Sequence, residues 1–370
     1  MDRSLIKSMM PSLVAGHVPR NVRSFKYRVF DDQPLSSTLG FAIDPQPFDG
    51  KVVAAIVGKG TLVVWDSDSG KEVFKDDRRA SQKRTIPEAV VAFSPSGKYL
   101  AAAYDGVRVD LYETDGWKLV ATNDEAFKNW DPSWGDPFPS ALAFSPDEKK
   151  LAWSQQGMDR RLESDGLVRV VTVPDLQPIV HLPEGSGTTF ISFSSDGKIL
   201  YTGGAGLYFN PREDERFPVG REPSIRAWDV RLWTIKDIVI DKDIQFGGFS
   251  TSAEKAITIG TRSPATVVSW DLKRLSKRGQ SSVDRKRFYF CAVYPDGEWA
   301  VANDYDQIIM IHAVSGAQAS VIDLSAVPKD EPDGARSIYS GLLFSKDGRR
   351  FAFSADRGGL YVYDVSKVEK

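Results

Sequence analysis

One short phrase recurs along this chain and narrows the possible folds more than any other feature. It reads AVVAFSPSGKYLAAAY from Ala89, ALAFSPDEKKLAWS from Ala141, FISFSSDGKILYTG from Phe190, FGGFSTSAEKAITIG from Phe246, FCAVYPDGEWAVAN from Phe290 and GLLFSKDGRRFAFS from Gly341. A weaker copy, LGFAIDPQPFDGKVVAAIV, precedes them from Leu39. The anchoring aromatics Phe93, Phe144, Phe193, Phe249, Tyr294 and Phe344 follow one another at intervals of about 50 residues, a period typical of repeat folds. Inside each copy an apolar run meets a Ser-Pro-Asp-Gly-type turn and a second apolar run follows, the pattern of a β-hairpin. A third run comes next: TLVVWD (61–66), VRVDLYE (107–113), VRVVTV (168–173), SIRAWD (224–229), TVVSWD (266–271), QIIMIHA (307–313) and GLYVYD (359–364). A second tight turn then leads to a fourth, less apolar run such as KLVAT. Four short antiparallel strands, seven times over and without helical periodicity, predict an all-β chain folded as a seven-bladed β-propeller.

The repeat also decides the domain count. A length of 370 residues alone would admit two or three ordinary domains. With the repeat, residues 21–370 read as a single propeller behind a flexible leader, residues 1–20. The last third-strand run ends at Asp364, which leaves the final blade without its fourth strand. Residues 22–30, VRSFKYRVF, alternate polar and apolar side chains ahead of the first blade. They are expected to supply that strand to 339–364, and closure of this kind removes the exposed sheet edges that invite aggregation.

Trp65-Asp66, Trp228-Asp229 and Trp270-Asp271 end their third strands in the pair that names the WD40 repeat, with Tyr112-Glu113 and Tyr363-Asp364 as near substitutes. On these residues the chain resembles the WD40-like propellers, over roughly residues 21–370. The Gly-His pair that usually opens a WD40 repeat is absent from every copy, so the Asp–His–Ser–Trp hydrogen-bond network of strict members cannot be complete. The resemblance implies a subunit of a larger assembly, engaged through protein–protein contacts.

Composition removes several other functions. Apolar residues at 41% and aromatics at 11% are ample for a packed core. The balance of 48 Lys+Arg against 50 Asp+Glu sets aside nucleic-acid binding by bulk charge. One cysteine excludes an intramolecular disulfide and Cys-based metal sites, and three histidines leave little for a metal centre. No cofactor or metal is expected. The longest apolar stretch, Val52–Val57, is far short of the ~18–20 residues of a spanning helix, and Pro11 interrupts the apolar part of the N-terminus. A cytoplasmic or nuclear protein without a membrane span is the expectation. Nucleophile-elbow, phosphate-loop and zinc-protease motifs are missing. Overlaying IIMIHAVSG on VDLYETDG puts His312 at the core Trp position, a structural post. Cys291 reads as a small buried apolar residue.

The uneven feature is loop length. Connections on one face of the repeats stay tight throughout, while four long excursions belong to the other face: 123–140, 154–166, 205–223 and 325–336. The first three follow on consecutive repeats. They carry Trp130, Trp134 and Phe138; Arg160 and Arg161; and Tyr208, Phe209, Arg212, Arg216 and Arg221. Aromatic plus Arg is the composition of protein-binding hot spots. A non-catalytic scaffold that binds a partner protein over repeats two to four is therefore the leading reading. The rival is an enzyme or small-molecule binder that uses the central channel, as lactonase propellers do. A lesser alternative comes from the basic cluster Lys277, Arg278, Arg285, Lys286 and Arg287, which would attract an anionic lipid. There Lys277-Arg278-Gly279 partly resembles the Arg-Arg-Gly motif of phosphoinositide-binding propellers.

Overall fold

The computed structural model describes residues 23–26, 38–43, 52–57, 60–67, 69–78, 89–104, 108–123, 139–155, 166–184, 188–204, 223–244, 246–250, 254–260, 264–284, 288, 291–304, 307–323, 338–345, 347–355 and 359–364. These residues form seven four-stranded antiparallel sheets, with a single 3-10 turn at Asp115–Trp117. Strand β1 (Arg23–Lys26) precedes the first sheet, which is β2 (Thr38–Ile43), β3 (Val52–Val57), β4 (Thr61–Asp66) and β5 (Glu72–Asp76). The second is β6 (Ala89–Phe93), β7 (Tyr99–Tyr104), β8 (Arg108–Glu113) and β9 (Lys118–Asn123). The third is β10 (Leu142–Phe144), β11 (Lys150–Gln155), β12 (Gly166–Thr172) and β13 (Pro178–Glu184). The fourth is β14 (Phe190–Phe193), β15 (Ile199–Gly204), β16 (Ser224–Asp229) and β17 (Thr234–Ile240), and the fifth is β18 (Phe246–Ser250), β19 (Lys255–Ile259), β20 (Ala265–Asp271) and β21 (Ser276–Val283). The sixth is β22 (Cys291–Val293), β23 (Trp299–Asp304), β24 (Gln307–His312) and β25 (Gln318–Asp323). In the seventh, β26 (Ile338–Phe344), β27 (Arg350–Ala355) and β28 (Gly359–Asp364) are completed by β1, with Arg23 opposite Val362 and Lys26 opposite Gly359.

The core lies between sheets, and side-chain alternation explains how. Along β3, Val52, Ala54 and Ile56 pack against Val91, Leu100 and Tyr112 of the second sheet. The intervening Val53, Ala55 and Val57 pack against Ala352 and Val362 of the seventh. A strand covered on both faces has no polar face to offer, which is why the second strands read as nearly unbroken apolar runs. The pattern repeats between the second and third sheets, the third and fourth, the fourth and fifth, and the fifth and sixth. First strands also touch in succession, β2 to β6, β6 to β10, and onward to β22 and β26, and β26 touches β2.

The recurring phrase forms a turn whose chemistry is local. Ser145 Oγ donates to Asp147 Oδ1 (2.6 Å) and accepts from the Lys150 N–H (2.9 Å). Ser194 with Asp196 and Ser345 with Asp347 repeat the arrangement at 2.7 and 2.6 Å. The serine thus holds both ends of the turn while its carboxylate partner accepts the next free amide. The fourth turn position takes positive φ at Gly97, Gly197, Gly297 and Gly348, and also at Glu148 (+56°), while in the fifth sheet positive φ falls one residue later, at Glu254 (+48°). Gly348 (φ +71°) has a second constraint, because a Cβ there would lie 2.6 Å from the Tyr294 ring of the sixth sheet. The two glutamates instead reach back to the preceding sheet's turn. Glu148 accepts from Ser96 N (2.5 Å) and Oγ (2.8 Å), and Glu254 accepts from Ser195 Oγ (2.5 Å).

Candidate functional site

The outer strand of one sheet ends against the third-to-fourth-strand turn of the next, and this overlap fixes the rim of the molecule. Phe74 of β5 stacks on Trp117 at 5.4 Å and 12°. Asn123, at the end of β9, donates to the Leu176 carbonyl (3.0 Å), and Ser281 of β21 donates to the Ala313 carbonyl (3.1 Å). In each turn the fifth residue after the Trp-equivalent position takes positive φ: Gly70, Trp117, Leu176, Trp233, Leu275 and Gly316. Four of these are large apolar residues in a conformation that glycine normally fills. Their side chains pack toward the preceding sheet, Leu176 beside Ala121, Trp233 beside Ile179 and Val180, and Leu275 beside Val239. Sequence reading missed this set, and the fixed offset from the Trp-Asp position is the signal that finds it.

A polar cluster also lies between the first and second sheets. Asp110 is fully buried in β8, with Thr122 donating to it at 2.8 Å and the Arg78 guanidinium forming an ion pair at 3.8 Å. Tyr112 Oη donates to Asp76 (2.8 Å), and Arg78 donates to the Tyr112 oxygen (3.0 Å) and pairs with Asp76 (2.5 Å). Burial would raise the Asp76 carboxyl, but the Arg78 hydrogen bonds outweigh it and hold it below its ordinary value. Burial also pushes the Tyr112 phenol up. These groups satisfy one another between two sheets, which is a structural arrangement. Among the described residues no three His, Cys, Asp or Glu gather as a metal site, and no helix is long and apolar enough to cross a membrane.

Lys277 and Arg278 are both engaged in ion pairs. Lys277 meets Asp241 at 2.6 Å and lies over the Trp270 ring at 5.5 Å, while Arg278 meets Glu298 at 3.1 Å. They lie near the start of the eight-residue strand β21, which ends before Arg285, Lys286 and Arg287 in the sequence. Those three lie outside the described residues.

His312 is one position away from its sequence placement. The Ala313 amide bonds the Glu298 carbonyl, as Val230 bonds Lys198 and Leu272 bonds Glu254. Ile311 is therefore equivalent to Trp228 and Trp270, and His312 to Asp229 and Asp271. It acts as they do. His312 Nδ1 accepts from the Ser315 amide (3.1 Å), as Asp229 Oδ1 accepts from the Leu232 amide (2.9 Å). Cys291 packs against the cluster between the fifth and sixth sheets, and burial pushes its thiol up to about 12.

Trp130, Trp134 and Phe138, Arg160 and Arg161, and Tyr208, Phe209, Arg212, Arg216 and Arg221 lie outside the described residues. The flanks of their segments are described, and they come together. Ser140, before β10, has its Oγ 2.9 Å from Ser154 Oγ near the end of β11. Ser154 Oγ accepts from the Ser140 and Ala141 amides at 3.1 and 2.9 Å. Ser140 also donates to the Thr188 carbonyl, and the Thr189 amide bonds the Gly203 carbonyl (2.8 Å) near the end of β15. Hydrogen bonds linked through the Thr188–Thr189 peptide thus join the flanks of 124–138, 156–165 and 205–222. Neither the protein-family models nor the curated proteins searched match this chain.

Proposed function

We propose that the seven sheets are the blades of a WD40-like propeller spanning residues 21–370, and that it serves as a non-catalytic scaffold for a partner protein. The blade reading is supported by the succession of first-strand contacts that returns from β26 to β2. It is also supported by two third-strand tryptophans that donate their indole N–H to a second-strand threonine, Trp228 to Thr202 (3.0 Å) and Trp270 to Thr258 (2.8 Å). Those bonds are the Ser–Trp half of the WD40 network, kept here without its histidine.

The observation that carries the binding reading is the hydrogen-bonded cluster Ser140, Ser154, Thr188 and Thr189. It joins the described flanks of three segments on successive sheets, and between them those segments carry Trp130, Trp134, Phe138, Arg160, Arg161, Tyr208, Phe209, Arg212, Arg216 and Arg221. Aromatic residues with arginines are the composition of protein hot spots, and loops held by a fixed scaffold are where binding concentrates. The first strands, by contrast, carry no Asp, Glu, Lys, Arg or His, which argues for binding at the loops over chemistry in a central channel. The test is affinity capture from native extract with wild type and with Trp130, Trp134, Phe209 and Arg216 all changed to Ala. The reading expects specific partners on the wild type alone, with equal melting temperatures. Equal capture by both, or a collapsed melting temperature, counts against it.

A further inference from the structure

We propose that β17 pairs edge to edge with β17 of a second copy of this chain, making a twofold dimer. β17 ends the fourth sheet, and β16 is its sheet neighbour. Among the outer strands whose side chains are described, it alone exposes several large apolar residues: Ile235 is 48% exposed, Ile238 39% and Ile240 57%, with Leu232 at 58% just before it. The outer strands β5 and β9 expose one large apolar residue each, Val73 and Val120. An exposed strand edge with an apolar face is a template for another strand.

The occupant follows from the strand's own pattern. A bulge lies in the β16–β17 ladder, where Ala227 faces Asp237 and Trp228 faces Ile235, leaving Lys236 as the extra residue. Ile235 and Ile238 therefore share one face with Ile240, and Lys236 and Asp237 share the other. Antiparallel pairing of two copies must match faces on both sides of this bulge. Only the register with the twofold axis between Lys236 and Asp237 does so, setting Ile235 opposite Ile238 of the second copy. A shift of one residue in either direction puts an isoleucine opposite a charged residue. The same register sets Lys236 opposite Asp237 of the second copy, twice over, so face matching and charge matching select the same alignment. Asp237 now accepts from the Ile238 amide (2.9 Å), and pairing would exchange that contact for the lysine. Because the interface is isologous, it consumes both edges and closes as a dimer without propagating into a fibre. This inference stands on β16–β17 geometry and is independent of the loop surface.

Sedimentation velocity of the full chain over a concentration series tests it. Wild type is expected to show a concentration-dependent dimer. Lys236→Asp and Asp237→Lys should each place like charges opposite one another at two symmetric positions and weaken the dimer roughly tenfold or more. The double exchange K236D/D237K should restore it, which a merely structural role for these exposed residues would not do. Circular dichroism checks that all four proteins fold alike. A wild type that stays monomeric at its highest soluble concentration overturns the proposal. A dimer indifferent to the single exchanges, or not rescued by the double one, overturns it as well.

Discussion

Leu176 offers the sharpest test of how adjacent sheets are held together. Its φ is +53° and its side chain is 2% exposed, packed with Ala121 and Val171 between the second and third sheets. A left-handed conformation costs a non-glycine residue about 1–2 kcal/mol. Truncating a buried leucine to alanine costs about 2–5 kcal/mol. Leu176→Ala loses the packing and keeps the strain, so a loss of about 3 kcal/mol is expected. Leu176→Gly loses the same packing and adds roughly 0.5–1 kcal/mol of backbone entropy, but it releases the strain. Its net cost should be about 2 kcal/mol.

The order of the two variants is the diagnostic. At an ordinary core position glycine is the more damaging replacement, whereas here alanine should be worse by about 1 kcal/mol. Equilibrium urea unfolding at 25 °C reads this directly, provided the transitions share a common slope. A glycine variant less stable than the alanine variant would refute the strain argument. An alanine variant within about 0.5 kcal/mol of wild type would refute the packing argument.

Three further outcomes follow from the turns and the lone thiol. His312→Asn retains a turn acceptor and should hold the wild-type melting temperature, while His312→Leu should lose about 1 kcal/mol in thermal denaturation; equal losses would remove the capping role. Cys291, its thiol pushed up to about 12 by burial, should react with iodoacetamide at neutral pH only after denaturant is added; rapid modification of the native protein would contradict this. Acidification should destabilise the fold through the turn carboxylates. Hydrogen bonding from Ser194 holds Asp196 below the usual carboxylate value; at Asp147, Glu254 and Glu298, burial pushes up but hydrogen bonds and nearby lysines prevail. The folded state then binds fewer protons than the unfolded one, so this stability is present above the unfolded values of 3.8 and 4.5 and is lost as pH falls through the lower folded values. Asp296, raised by burial, opposes the trend. A melting temperature unchanged between pH 7 and about pH 3 would contradict the assignment.

The strands were legible because each repeats a two-part signal, an apolar run and a Ser-x-Asp-Gly turn, and the turn chemistry is local. Ser145, Asp147 and Lys150 need no distant partner to form their bonds. What escaped was the conformation of Trp117, Leu176, Trp233 and Leu275, since a left-handed tryptophan or leucine is dictated by packing on another sheet. The same blindness displaced His312 by one position. Aligning Gly316 with Gly116 looks natural in sequence, yet Gly316 matches Trp117, and both have positive φ. The convergence of Ser140, Ser154 and Thr188 joins residues from three different strands' ends, and nothing in any one segment announces it.

Hydrogen–deuterium exchange of the protein alone and with its captured partner shows where binding occurs. Protection on binding is expected within 124–138, 156–165 and 205–222, with the turns at 94–98, 145–149 and 194–198 unchanged. Protection confined to those turns or to the first strands, with the three segments unaffected, would contradict binding through those segments.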